Sequence, residues 1–288
     1  MKGIVLAGGT GSRLWPMTKS VSKQLLPLYD KPLICYPISN LILAGIRDIL
    51  IITTPKDSVA FQDLLGDGST LGVTFKYAIQ PKPEGLAQAL IIARDFLMEE
   101  SCLMILGDNV FHGVGLGHQL RNSLPKQGSH IFTYEVSDPT QYGILTIDES
   151  GVPVGVIEKP QTSTSTLAIT GLYFFDNKVS EIASNVVPSS RGELEITSVI
   201  DFYLHEKMLT FTKLSRGTVW LDTGNPKSMH DAATYVRVLE ERTGLKIACL
   251  EEIAFNEGLI SEEGLKLLAD NYGSSQYGIY LRSLLNRK

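Results

Sequence analysis

Only three cysteines occur in the chain, Cys35, Cys102 and Cys249. They are odd in number, widely spaced and without a Cys-x-x-Cys pair, which excludes a disulfide framework and reads as reduced thiols. A positive balance is missing too. The formal charge of −5 leaves no general basic field, so nucleic acid is not an expected partner, and any anionic ligand must be held by local cations. Long apolar runs are also lacking. None approaches the length of a membrane span, and the first, Gly3–Ala7, is broken by Gly8 and Gly9, too short for a signal-peptide core. A cytoplasmic protein with no membrane partner is expected. The five histidines show no metal spacing and receive no catalytic role, and no Ser/His/Asp or Cys/His nucleophile arrangement stands out.

What is present is ordinary in amount, with 43% hydrophobic and 20% charged residues, and distinctive in order. The 288 residues allow one large α/β domain or two modest ones. Apolar, β-branched runs at Lys2–Ala7, Ile49–Thr53, Val73–Tyr77 and Cys102–Leu106 read as buried strands. Helical periods at Ile34–Ala44, Asp57–Leu65 and Leu86–Met98 separate them. This alternation predicts a doubly wound, mostly parallel sheet of α/β class, whose ligands sit beyond the carboxyl ends of the strands. The middle is richer in β signals, at Ile131–Val136, Gly143–Asp148, Val154–Glu158 and Ala168–Phe175. Helical patterns return at Leu194–Glu206 and Pro226–Arg242, and short helices, including Ser261–Ala269 and Ser275–Leu285, follow Gly244. The expected organisation is therefore one compact α/β domain over 1–243, with a first part of alternating strands and helices at about 1–128 and a second, β-rich part at about 129–243. A helical appendage over 244–288 lies against the same domain.

The stretch Leu6-Ala7-Gly8-Gly9-Thr10-Gly11-Ser12-Arg13 follows the first strand. Glycines there let backbone N–H groups approach an anion, and a following helix N-terminus would add positive dipole. A tight surface turn would look similar. The loop is not a dinucleotide fingerprint, because Leu14 stands where a third glycine is needed, and it is not a P-loop, because Gly11 is followed by Ser12-Arg13. Arg13 and Lys23 beside a nest of donors suit a polyphosphate better than a single phosphate. Asp108, at a strand end after Gly107, and Asp222, ending another apolar run, are the kind of hard oxygen donors that bind Mg²⁺. Each is equally readable as a turn carboxylate. Glu158-Lys159 ends a further strand, and Gly192–Thr197 reads as a helix start with acids in its first turn.

These stretches, with Lys23-Gln24-Leu25-Leu26-Pro27, resemble the signature of the sugar nucleotidyltransferases. Gln80-Pro81, Glu84–Ala89, Leu106–Asn109, Ile169–Phe174 and Arg191–Thr197 narrow the resemblance to the short-type thymidylyltransferases that act on glucose 1-phosphate. The resemblance covers Lys2 to about Leu285. It implies a Mg²⁺-dependent transfer of a thymidylyl group from dTTP to glucose 1-phosphate, on the way to dTDP-rhamnose, by a homotetramer. It implies that Gly8, Gly9, Thr10 and Gly11 wrap the triphosphate, that Arg13 holds the departing pyrophosphate, and that Lys23 holds the α-phosphate. Gln80 and Gly85 would read the thymine edge with Gln24 nearby. Asp108 and Asp222 would hold the metal. Tyr142, Gly143, Glu158, Lys159, Ile169 and Trp220 would line the sugar-phosphate pocket, with Lys159 on the phosphate and Glu158 on sugar hydroxyls. Two alternatives are a uridylyltransferase on the same fold and a non-catalytic nucleotide-binding regulatory subunit. The joint presence of Arg13, Lys23, Asp108, Lys159 and Asp222 argues against the second. The resemblance also implies a second nucleotide site for feedback inhibition near Glu251–Asn256, where Asn256 replaces a usual arginine and cannot pair a phosphate as arginine does.

Overall fold

The structure is a computed structural model that describes residues 1–286 apart from 124 and 126. Its first half alternates strands and helices as the apolar runs predict: β1 (Lys2–Ala7), a hairpin of β2 (Pro27–Leu28) and β3 (Lys31–Pro32), α1 (Cys35–Leu43), β4 (Asp48–Thr53), α2 (Ser58–Leu65) and β5 (Thr74–Ile79). Then come α3 (Gln88–Ile92), α4 (Arg94–Leu97), β6 (Cys102–Leu106), β7 (Asn109–His112) and α5 (Leu116–Ser123). The middle supplies β8 (Ser129–Glu135), β9 (Gly143–Ile147), β10 (Pro153–Glu158), β11 (Leu167–Phe175), α6 (Val179–Ser184), α7 (Ile196–His205), β12 (Leu209–Lys213) and β13 (Val219–Asp222). The long α8 (Pro226–Thr243) and the short α9 (Leu250–Asn256), α10 (Glu262–Asn271) and α11 (Gln276–Leu284) complete the chain.

The fold is mixed α/β around one nine-stranded sheet, ordered β10-β9-β11-β6-β1-β4-β5, with β8 joining β11 to β12. Parallel pairing joins β6, β1, β4 and β5, and joins β12 to β8. The ladders of β11 with β6, β8 and β9, and of β9 with β10, are antiparallel. Parallel strands covered on both faces must be apolar on both. Val5, Ile49, Ile51, Leu103 and Ile105 face one core with α1, while Ile4, Leu50, Ile52, Cys102 and Met104 face the other with α3, α6 and α7. Buried ion pairs tie the end of α8 to the β2–β3 hairpin, where Glu240 lies 3.1 Å from Lys31 and 3.3 Å from Lys246.

Two local readings of the sequence change. Leu86–Met98 is not one helix: the N–H of Ala87 is given to the carbonyl of Leu194 at 3.0 Å, so helix begins only at Gln88, and it is interrupted at Ala93 before α4. Glu193 and Glu195 precede α7 rather than entering its first turn, because Glu195 is its N-cap and its carboxylate is taken by Ser189 and Arg191. No helix among the described residues is long and apolar enough to cross a membrane. Among them all three cysteines are free.

Candidate active site

Because β6, β1, β4 and β5 run parallel, their carboxyl ends share one edge. The loop Gly8–Gly11 leaves β1, Asp108 follows β6 and Gln80 follows β5 at that edge. Gly9 and Gly11 hold φ values of 97° and 60°, which open the loop so that its N–H groups are not consumed by a helix. The loop runs into a single 3₁₀ turn, Ser12–Leu14, so the helix dipole expected there is absent. Backbone donors and the side chain of Arg13 are what the loop offers an anion. Lys23, on the next 3₁₀ turn, pairs with the carboxylate of Asp108.

Two adjoining cavities, of about 340 and 190 Å³, share Asp108, Leu86 and Leu106. Thr10, Gly11, Arg13, Lys23, Asp108, Tyr142, Gly143, Glu158, Lys159, Ile169, Trp220 and Asp222 line the larger. Gly8, Gly9, Gln24, Gln80 and Gly85 line the smaller. The residues singled out in the sequence are thus brought into one continuous cleft.

Asp108 and Asp222, far apart in sequence, meet through the β7–β13 ladder, in which Asp222 is the partner of Asn109. Thr223, next to Asp222, donates both its hydroxyl (2.8 Å) and its N–H (3.2 Å) to the carbonyl of Asp108. Their environments are opposite. Burial pushes the Asp108 carboxyl up, but the charge and hydrogen bond of Lys23, aided by the Asn109 amide, outweigh it and hold it below the usual range. Burial, then the charge of Asp108, pushes Asp222 up to about 6. Two oxygen donors that repel each other in this way match what a hard divalent cation accepts and would neutralise.

The larger cavity ends on the antiparallel half of the sheet. Gly143 on β9 pairs with Glu158 on β10, and the N–H of Lys159 donates to the carbonyl of Tyr142 at 3.0 Å. Lys159 sits at φ 43°, a left-handed conformation that is strained for a side chain of this kind and is concentrated at functional positions. Its ammonium lies 3.5 Å from Glu158. Trp220 forms an aromatic wall with Tyr142, ring centroids 5.1 Å apart, and Tyr134, 5.9 Å apart.

Two residues without an assigned role in the sequence prove to be the braces. Asn109, 3% exposed, accepts from Trp220 Nε1 at 2.6 Å and from the Gly171 N–H at 3.2 Å, and donates to Asp108 Oδ1 at 2.9 Å. It therefore orients the Trp220 wall of the larger cavity and one oxygen of Asp108 together. Arg191 donates to Glu158 at 3.1 Å and to Glu195 at 2.8 Å. Both stand inside the motifs quoted above, and only the ladder partners, which sequence does not reveal, show what they hold. Among the described residues no group of three or more His, Cys, Asp or Glu side chains forms a metal cage.

The family model described as nucleotidyl transferase matches residues 2–238. A protein from Mycolicibacterium smegmatis named glucose-1-phosphate thymidylyltransferase is 51% identical over 288 residues, spanning 100% of both chains. A solved Bacillus anthracis chain assigned to the same activity, in complex with sucrose, superposes with a TM-score of 0.75 at 38% identity, over 82% of this chain and 95% of the other. A UDP-glucose pyrophosphorylase complexed with UDP-glucose superposes with a TM-score of 0.74 at 23% identity, over 83% of this chain and 98% of its own, a likeness of fold alone.

Proposed function

Because the chain belongs to the nucleotidyl transferase family, we propose that its cleft transfers a thymidylyl group from dTTP to glucose 1-phosphate, giving dTDP-glucose and pyrophosphate. The observation that carries this reading is the continuity of the two cavities at Asp108: a donor-rich loop with two cations opens on one side, and a pocket with a lysine, a carboxylate and an aromatic wall on the other. The similarity to glucose-1-phosphate thymidylyltransferase over the whole length supports the substrate pair. Since a UDP-glucose pyrophosphorylase shares the fold, the fold does not choose the base, and the smaller cavity must.

In this mechanism Gly8, Gly9, Thr10 and Gly11 hold the triphosphate with backbone donors, Arg13 binds the β- and γ-phosphates, and Lys23 the α-phosphate. Gln80 and Gly85 bind the base edge, with Gln24 on the nucleoside. Lys159 fixes the phosphate of glucose 1-phosphate, Glu158 accepts from sugar hydroxyls, and Tyr142, Gly143, Ile169 and Trp220 shape the sugar pocket. A phosphate oxygen of glucose 1-phosphate attacks the α-phosphorus; the new P–O bond forms as the bond to the bridging oxygen breaks, and pyrophosphate departs with the electron pair. No covalent enzyme intermediate is required, because positioning and charge neutralisation lower the barrier. Asp108 and Asp222 would hold Mg²⁺, which would neutralise phosphate charge when bound. Residues 1–243 act as the transferase unit, and 244–288 as an appendage on it. We assign the enzyme to the cytoplasm as a homotetramer.

The assay that tests this reading is pyrophosphate release with each of four nucleoside triphosphates and several sugar 1-phosphates. The highest kcat/KM is expected for dTTP with glucose 1-phosphate; preference for another pair overturns it.

A further inference from the structure

The amide of Gln80 has two unlike ends, a carbonyl that accepts and an NH₂ that donates, so a glutamine reads a base only if the correct end faces it. In this structure the choice is made by groups whose polarity cannot change. The backbone N–H of Glu84 can only donate, and it lies 3.3 Å from Gln88 Oε1. On the other side of that amide, Gln88 Nε2 donates to the carboxylate oxygen of Glu84 at 2.7 Å. Together these contacts allow Gln88 a single amide orientation. Gln88 Oε1 then accepts from Gln80 Nε2 at 2.7 Å, while the carbonyl of Gly85 lies 3.5 Å from the same nitrogen.

Gln80 is 4% exposed and turns its remaining end, Oε1, towards Gly8. A Cβ at Gly8 would come within 1.9 Å of that oxygen, so a larger residue there would have to displace the Gln80 amide. Reversing the Gln80 amide would set its oxygen against Gln88 Oε1, two acceptors facing each other without a proton, and a buried acceptor left unsatisfied disfavours that orientation. The segment that fixes the polarity is itself held, because the Leu194 N–H donates to the Glu84 carbonyl at 2.7 Å and the Ala87 N–H donates to the Leu194 carbonyl at 3.0 Å.

We infer that Gln88, clamped by Glu84, is a positioning residue for base selection, which presents Gln80 to the nucleotide as an acceptor only. The inference rests on the reading of Gln80 as the contact to the thymine edge. Thymine and uracil carry a proton on N3 and satisfy an acceptor. Cytosine carries a lone pair there and would meet another. The relay thus separates the pyrimidines with a protonated N3 from the one without, and leaves the thymine methyl to be recognised elsewhere.

The experiment measures kcat/KM for dTTP, UTP and CTP, with thermal midpoints, in four proteins: the unaltered enzyme, Gln80→Ala, Gln88→Ala, and the double variant Glu84→Gln/Gln88→Glu. In the double variant the amide introduced at position 84 donates to the carboxylate introduced at 88, which still accepts from Gln80 Nε2, so the relay is rebuilt with its charge moved. Gln88→Ala should lower the dTTP-to-CTP ratio by about tenfold or more, leaving the dTTP-to-UTP ratio and the KM for glucose 1-phosphate unchanged. Gln80→Ala should lower the dTTP-to-CTP ratio at least as far, and the double variant should restore most of it. If Gln80→Ala lowers the ratio and Gln88→Ala does not, the positioning role is overturned while the base contact stands. A double variant as unselective as Gln88→Ala overturns it as well. If Gln80→Ala itself leaves the ratio intact, the base contact fails and takes the inference with it.

Discussion

On the proposed function, the two ends of the cleft choose their ligands by different physics. At the nucleotide end the selecting groups are neutral amides directed by neighbouring hydrogen bonds: Gln80 through Gln88, and Gln24 through the hydroxyl of Ser22, which donates to its Oε1 at 2.6 Å. At the sugar-phosphate end the groups are charged and held by charge, with Arg191 between Glu158 and Glu195 and with Lys159 beside Glu158. The difference follows from the ligands. A base offers a pattern of donors and acceptors with no net charge, and a mismatched hydrogen bond there is costly because the site is buried. A sugar phosphate offers a dianion, which a lysine holds without regard to direction.

Asp108 belongs to both cavities, so its loss should erase the distinction. Asp108→Asn keeps the shape and the hydrogen bond to Asn109 but removes the charge, and about 4 kcal/mol of transition-state stabilisation, roughly a thousandfold in kcat, should go with it. Steady-state rates across a Mg²⁺ titration check this. Near-normal turnover at limiting Mg²⁺ would remove Asp108 from the metal site.

A smaller change should separate the ends. Lys159→Ala removes one charge-assisted hydrogen bond, worth about 1.5–3 kcal/mol, and should raise the KM for glucose 1-phosphate roughly 10- to 150-fold. Affinity for dTTP, measured alone by calorimetry, should stay level. A collapse of dTTP affinity would mean that the two pockets are assigned to the wrong substrates.

The third prediction sets function against stability within the joint. Asp222 has its folded pKa raised to about 6 from 3.8. A raised carboxyl stabilises the fold fully below its unfolded pKa, and that contribution is lost as pH rises through about 6. Asp222→Asn carries no charge to repel Asp108. It should therefore be more stable than the unaltered metal-free protein above pH 6 by roughly 3 kcal/mol, with the gap closing towards pH 4. Denaturant midpoints at pH 8 and pH 4 measure it. An Asp222→Asn protein less stable at pH 8 would show that the buried charge of Asp222 beside Asp108 costs the fold nothing.

What was legible in the sequence was whatever short-range pattern encodes. Lys2–Ala7 and Cys102–Leu106 are read to the residue because a strand buried on both faces is a plain apolar run. The glycine loop is legible because three glycines follow an apolar run within four positions, and Gly9 and Gly11 do take positive φ. Pairing across long separations was not legible. Nothing local in Asn109-Val110-Phe111-His112 or Val219-Trp220-Leu221-Asp222 announces that they form one ladder, yet that ladder brings the two aspartates together and makes Asn109 a brace. Helix α6 was missed because it is six residues long, less than two turns and too short to set a period. The role of Arg191 depends on Glu158, thirty-three positions away, and appears only once β10 is in place.

The central claim is that the smaller cavity selects thymine and the larger selects glucose 1-phosphate, and the most direct measurement is the set of kcat/KM values for dTTP, UTP and CTP with glucose 1-phosphate in the unaltered enzyme. A pocket for one methyl separates thymine from uracil by only about 1–3 kcal/mol, roughly 10- to 200-fold, so UTP should be a measurable but poorer substrate. CTP should be much poorer still, because its N3 offers no proton to Gln80. Comparable values for dTTP and CTP would contradict the account, and a clear preference for UTP would transfer the enzyme to uridylyl transfer.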